Sequence, residues 1–528
     1  MSEEKKKVIK EIDEFEEKVE REAELKKILQ YVIPEKEFKK TAEFVKDGFD
    51  YVIEIEEFFR KDFFFDWLPK KIKKYLKLLI PFVLMFIVLY LPLDINNEIK
   101  KALALFVCIS FLWALESISM IVTALFIPVL AVALGLIKDS NPFSSFSNPI
   151  IYLLLSGLII GMAFRKHGID RYLALKVMAF SKGSIKRLLF FTMLITGLLG
   201  MWMSNTATLA LMIPVILSIS KEINQRTEKD YTAMLLLSAG FGGAILGLST
   251  ILGGNPNAIT AAFLRNISDF TFFDWTKIGF PVSIILFMLA YFIFIKMYNV
   301  KEEKIDISNL ILSAKQQKLS VDQEKVLLIF LPTIFLWIFG GELSSFLKLP
   351  LDFYRTEVIG LSASILLFAF KLLEWEDVRK VPWEIFLLVG GGLTLGQILI
   401  DSGTSLYISE KLFILFQYFP KWTVILIIVF SAVILANFVN NSSTVIILVP
   451  ILINLSSMLG IEKQVVAIGA VMATAISPLT PIAIPSFSLI YGTGNVSRKE
   501  MVKTGFIISI FCGVILGAIL FLINEIFY

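Results

Sequence analysis

Apolar residues run along this chain in long blocks, not in alternation and not as one stripe of an amphipathic helix. Blocks of this kind lie at Leu78–Leu93, Ala102–Leu115, Ile118–Ile137, Pro149–Phe164, Tyr231–Leu252, Trp275–Tyr298, Lys325–Gly340, Thr356–Phe370, Ile385–Ile400, Val465–Ala483 and Gly505–Ile526. About 20 apolar residues are needed for a helix to cross a bilayer. The pattern therefore predicts an all-α polytopic membrane protein of about 11 transmembrane helices. A membrane β-barrel would show alternating segments of about ten residues, and the chain has none. Two blocks are too long for one span: Leu188–Ile219 and Trp422–Met458. Each reads better as a re-entrant hairpin that enters the bilayer and returns.

Both long blocks carry a polar island at their middle. The first is Ser204-Asn205-Thr206-Ala207-Thr208, and the second is Asn440-Asn441-Ser442-Ser443-Thr444. Pro214 follows Ser204 by ten residues, and Pro450 follows Asn440 by ten, so the islands are offset by 236. Gly157, Gly161 and Gly168 match Gly392, Gly396 and Gly403 at an offset of 235. Glycines four apart let helix backbones approach closely and read as packing residues. Their common offset also marks an internal repeat. With the amino terminus on the cytoplasmic side, most Lys and Arg of the loops fall inside, as the positive-inside rule requires. The first hairpin then enters from inside and the second from outside, which makes the repeats inverted and leaves the carboxy terminus extracytoplasmic.

The pattern divides the chain into four parts. Residues 1–77 form a charged cytoplasmic helical arm, broken at Pro34, with an aromatic and Lys-rich interfacial helix at its end. Residues 78–298 form a first membrane half with the inner hairpin at 188–219. A cytoplasmic linker spans 299–323, and a second membrane half with the outer hairpin at 422–458 spans 324–528. A basic amphipathic segment, Arg165–Arg187, reads as lying along the interface.

Composition agrees with an integral membrane location: of 528 residues, 56% are hydrophobic and 19% charged. The net charge of +4 is too small to argue for nucleic acid. Cys108 and Cys512 lie in apolar blocks, and His167 is the sole histidine, so neither a disulfide framework nor a histidine metal site is expected. No paired Asp, Ser/His dyad or metal cluster supports an intramembrane enzyme. His167 reads as an interfacial loop residue, and Glu116 as a structural partner near the end of the second span, in preference to a proton-coupling group.

An unsatisfied polar group in a membrane costs several kcal/mol by rough estimate, so the islands need partners or a ligand. Broken helices flank them: Gly253-Gly254-Asn255-Pro256-Asn257 beside the first, and Ser477-Pro478 with Pro481–Ser486 beside the second. Helix amino ends attract anions, while carbonyls and carboxyl ends hold cations. A neutral site rich in oxygen and amide groups suits Na⁺, which in turn attracts an anion. It suits a proton relay poorly, because neither island holds Asp, Glu or His.

Ser204-Asn205-Thr206, the two breaks, Gly390-Gly391-Gly392-Leu393, and Tyr491-Gly492-Thr493-Gly494-Asn495 before Met501–Gly505 resemble the divalent anion:sodium symporter family, in order, over about Leu78 to Tyr528. The resemblance implies an elevator-type transporter, usually a homodimer, in which hairpins and broken helices move past a fixed scaffold. It implies a small divalent anion as substrate (dicarboxylate, citrate or sulfate), bound Na⁺ ions and no organic cofactor. Carried onto this sequence, Ser204, Asn205 and the carbonyl near Gly253 would bind one Na⁺, and Asn441 with the carbonyl near Ala483 another. The anion would lie between Asn205-Thr206 and Asn440-Asn441-Ser442, with Gly254 and Pro485 of the breaks beside it. The family's second Ser-Asn-Thr is Asn440-Asn441-Ser442 here. Its Thr-Pro-Pro breaks are Gly254-Asn255-Pro256 and Ile484-Pro485-Ser486. Anion exchange, or a Na⁺-independent or proton-coupled oxyanion permease of the same fold, are the alternatives.

Overall fold

The structure is a computed structural model that describes residues 70–137, 141–224, 230–301, 308–348, 354–480 and 483–527. The charged arm up to residue 69 and its aromatic segment lie outside the described residues.

The described chain is helical throughout. A lipid-facing backbone must satisfy its own N–H and C=O groups, and a helix does so within one segment. The chain begins with α1 (Lys70–Tyr90), α2 (Asn97–Ala114), α3 (Met120–Ala133), α4 (Pro149–His167) and α5 (Ile169–Ala179). The first island lies between α6 (Ile185–Gly200) and α7 (Asn205–Asn224). Next come α8 (Thr232–Gly247), α9 (Asn255–Arg265), α10 (Phe272–Met297) and the short α11 (Ser308–Gln316). Then follow α12 (Val321–Leu347), α13 (Thr356–Ala369), α14 (Trp375–Val378), α15 (Glu384–Asp401) and α16 (Thr404–Phe416). The second island joins α17 (Lys421–Val439) to α18 (Asn441–Leu459), and α19 (Lys463–Ala475), α20 (Pro485–Gly492) and α21 (Arg498–Phe527) close the chain.

Among the described residues seven helices are long and apolar enough to cross a membrane, and six more are apolar but shorter. This differs from the eleven blocks of the sequence. Both limbs of the second long block, α17 and α18, are among the seven. The blocks Tyr231–Leu252 and Val465–Ala483 also end early, at Gly247 and Ala475, because the chain leaves the helix there. Hydropathy cannot register these stops, since the residues beyond them are still apolar. The segment Arg165–Arg187 is likewise divided. Gly168 adopts φ 65° and turns the chain between α4 and α5, a conformation that costs glycine no Cβ clash. Gly403 does the same with φ 75° between α15 and α16.

The packing places the site. Helix α3 lies against α15, and α13 lies against α4. The α3–α15 approach is close enough that a Cβ on Gly391 would strike the Ala124 backbone. Helix α6 packs along α8, and α18 along α19. The two short helices after the breaks cross over: α9 packs on α18, and α20 packs on α7. Each hairpin tip is thereby held against a broken helix from the other part of the chain. The outer surface carries large apolar side chains, such as Leu79, Val83 and Phe86 of α1 and Leu328, Leu331 and Phe335 of α12. In water such a belt would be a liability, whereas in lipid it is solvated.

The polar end near His167 is closed by specific bonds. Gln323 Nε2 donates to the His167 carbonyl at 2.7 Å, and His167 Nε2 donates to Leu372 O at 2.8 Å. Lys166 pairs with Asp377 at 2.7 Å. Burial raises the Asp377 carboxyl, but the Lys166 hydrogen bond and the Glu374 N–H outweigh it and hold it below its ordinary range.

Candidate functional site

A cavity of about 660 Å³ lies where the two hairpin tips and the two broken helices meet. Ser204, Asn205, Thr206, Gly253, Gly254, Asn440, Asn441, Ser442, Ala483 and Pro485 all line it. The cavity therefore brings together every residue that the sequence pointed to, from four separate stretches of chain.

The two tips are built alike. Ser204 Oγ accepts from Ala207 N at 3.3 Å and caps α7, while Asn440 Oδ1 accepts from Ser443 N at 3.1 Å and caps α18. One turn later Thr208 Oγ1 donates back to Ser204 O, and Thr444 Oγ1 to Asn440 O. Asn205 and Asn441 are the first residues of their helices. The tips differ in the cap residue. Asn440 sits at φ 63°, ψ 166°, a region that is essentially glycine-only and costs on the order of 1–3 kcal/mol. Its amide Nδ2 also lies against Met120 Sδ.

Four helices, α7, α9, α18 and α20, begin at the cavity wall. Their free N–H groups and dipoles favour an anion there. Helices α6 and α8 end at the same place, with Gly200 and Gly247 as their last residues. The final carbonyls of a helix lack partners of their own.

The oxygens near those ends converge. A methyl group built on Gly247 would lie 3.2 Å from Gly253 O, 3.3 Å from Gly200 O and 3.8 Å from Asn205 Oδ1. The absent Cβ thus leaves a cradle walled by three oxygens. Asn205 Oδ1 is buried and has no hydrogen-bond partner among the described residues, and the same holds for Asn441 Oδ1. A buried, unsatisfied amide oxygen is costly unless something binds it. Oxygen atoms without thiolate, imidazole or carboxylate are the ligand set of a hard cation. No cluster of three His, Cys, Asp or Glu exists among the described residues to hold a transition metal.

The first break is fixed by Asn257, whose Nδ2 donates to Gly247 O at 3.1 Å and to Thr250 O at 2.8 Å. Thr250 Oγ1 in turn donates to Met201 O, between α6 and the first tip. In the second break Leu479 N donates to Asn437 Oδ1 at 3.0 Å, just before the second tip. Ala483 and Ile484 are buried, and Pro485 opens α20. Gly200, Gly247, Thr250, Asn257 and Asn437 were not singled out as site residues in the sequence. A glycine four residues before Ser204 was the available signal for Gly200, but only a known helix end gives its carbonyl a role.

Glu116 also lines the cavity and is the sole ionisable side chain among the described residues that line it. The structural partner expected for it is absent: its carboxylate has no hydrogen-bond or ion-pair partner among the described residues. Trp202 on the wall stacks on Trp337 of α12, with centroids 6.2 Å apart and planes at 12°.

Known proteins resemble this chain in sequence and in fold. An uncharacterized transporter of Methanocaldococcus jannaschii is 33% identical over 78% of this chain and 91% of its own length. The sodium-dependent dicarboxylate transporter SdcS of Staphylococcus saprophyticus is 28% identical over 82% of this chain and 88% of its own. An uncharacterized transporter of Haemophilus influenzae is 29% identical over 82% and 94%. Among solved structures, MtrF of Neisseria gonorrhoeae, described as illuminating a class of antimetabolite efflux pumps, superposes with a TM-score of 0.50 over 83% of this chain and 97% of its own. At 11% identity that likeness concerns the fold alone. These relatives are transporters and not enzymes, and the profile of the citrate transporter family matches residues 110–475, which include both tips and the first break. The chain belongs to the citrate transporter family.

Proposed function

We propose that this protein is a secondary active transporter that couples Na⁺ to the movement of a small carboxylate anion of the dicarboxylate or citrate type. The observation that carries this reading is the unpartnered Asn205 Oδ1 facing Gly200 O and Gly253 O around the bare Cα of Gly247. Residues Ser204, Asn205 and Gly253 are the proposed first Na⁺ site, now with Gly200 added. Asn441, whose Oδ1 is also unpartnered, and Ala483 are the proposed second site. The anion lies between them, against Thr206, Gly254, Asn440, Ser442 and Pro485, and faces the four helix amino ends. Each bound cation offsets the anion's charge in a cavity that has no basic side chain. The sodium-dependent dicarboxylate relative supports the same pairing of ion and substrate.

The order α2 to α10 parallels α12 to α21, with α3 on α15 matched by α13 on α4. This parallel supports the reading as two inverted repeats with re-entrant tips; the proposed mechanism is alternating access by an elevator movement, in a homodimer whose amino terminus is cytoplasmic. The decisive assay is uptake of labelled succinate and citrate by proteoliposomes under an inward Na⁺ gradient. A K⁺ gradient and a proton gradient serve as controls. Accumulation only with Na⁺ is the expected result. Uptake that ignores Na⁺ but follows pH would replace this reading with a proton-coupled permease.

A further inference from the structure

The wall of the cavity holds one charge, and it has the sign of the proposed substrate. Glu116 lies in the turn between α2 and α3, exposed, at φ 45°. A non-glycine residue in that conformation is uncommon and persists where its surroundings fix it. The turn is tied down on both sides: Ser117 Oγ donates to Lys77 O at 2.7 Å, and Trp113 Nε1 donates to Met120 O at 3.3 Å. Met120 is also the residue whose sulfur meets Asn440 Nδ2 at the second tip. Glu116 is thereby held beside the proposed anion site, and no cation neutralises it among the described residues.

We propose that Glu116 is a specificity-determining residue that filters substrates by charge and excludes highly charged anions in favour of those of lower charge. The inference rests on the anion-site reading above. A fixed carboxylate adds a repulsion that grows in proportion to the negative charge of the ligand. Helix amino ends and bound cations attract an anion more strongly the higher its charge, and Glu116 is the group on the described wall that opposes this bias. A neutral replacement removes the repulsion and leaves the hydrogen-bonding groups of both tips in place.

The test uses the full chain with saturating Na⁺ and three related anions at pH 8: monomethyl succinate, succinate and tricarballylate, which carry one, two and three negative charges. Dissociation constants are measured by calorimetry for wild type, Glu116→Gln, Glu116→Ser and Glu116→Asp. Both neutral variants should tighten binding in graded fashion, by on the order of three- to tenfold for each unit of anion charge. Glu116→Asp should keep the wild-type order. Equal changes for all three anions would overturn the proposal, since that pattern marks Glu116 as a recruiter of cations or a prop for the turn. Weaker binding of the trianion in both neutral variants would overturn it as well. Failure of wild type to bind any of the three would remove the anion reading and this filter with it. Binding of all three by wild type together with a flat response in the variants removes only the filter.

Discussion

Asn205→Ala should have opposite effects on stability with and without sodium. In the ion-free protein the Asn205 oxygen is buried and unpaired. Such a group costs about 1–3 kcal/mol, so its removal is expected to be neutral or mildly stabilising, because Asn205 is only half-buried and leaves little void. With Na⁺ at about 100 times its dissociation constant, a wild-type site gains about 2.7 kcal/mol, and the variant lacks a ligand and forgoes most of it. A cooperative unit of about 450 residues has an unfolding entropy on the order of 1 kcal/mol per degree. That site alone should therefore raise the melting temperature by about 3 °C in Na⁺ over choline at equal ionic strength. The variant should lose that share of the rise and keep only what the second proposed site contributes. Thermal unfolding in detergent, followed by intrinsic tryptophan fluorescence, reads both. Equal destabilisation of the variant in the two salts would refute the reasoning, because the oxygen would then serve the fold and not an ion.

Gly247→Ala should remove the first site's share of the Na⁺-dependent rise in melting temperature, since its methyl group would stand among Gly253 O, Gly200 O and Asn205 Oδ1; an undiminished shift would place that ion elsewhere. Asn440→Gly should relieve backbone strain of on the order of 1–3 kcal/mol and forfeit a cap worth a few tenths to glycine, so it should melt no lower than wild type yet lose succinate uptake. Unchanged uptake would show that the strained amide serves folding alone. For Asp377, whose carboxyl is held below its ordinary range by Lys166, the contribution to stability is present above the ordinary aspartate value near pH 4 and disappears as pH falls through the lowered one. Wild type should accordingly lose melting temperature below about pH 4 more steeply than Asp377→Asn, and parallel curves for the two would count against the pair.

Much of this protein was legible because lipid imposes a simple code. Blocks of apolar residues mark helices regardless of packing, and a polar island such as Ser204–Thr208 stands out against them. The equal spacing of the two islands from Pro214 and Pro450 required no structure to see, and the ten residues that the family resemblance assigned to ions and anion line one cavity. Helix ends inside apolar sequence were not legible. Nothing in the hydropathy of Leu248 or Ile476 says that α8 and α19 stop before them. Those stops are set by Asn257 reaching back to Gly247 and by Asn437 holding Leu479, contacts between residues that only the folded chain brings within reach. The cation cradle depends on them too, since Gly200 and Gly253 contribute backbone carbonyls, a group common to every residue, and only the close packing around them demands glycine. Sequence by itself determined the helical membrane architecture, the paired tips and the polar character of the site, because these follow from side-chain chemistry read one residue at a time. Tertiary structure alone decided where helices break, which carbonyls are freed and that Glu116 faces the cavity, because those properties belong to distances between separate parts of the chain.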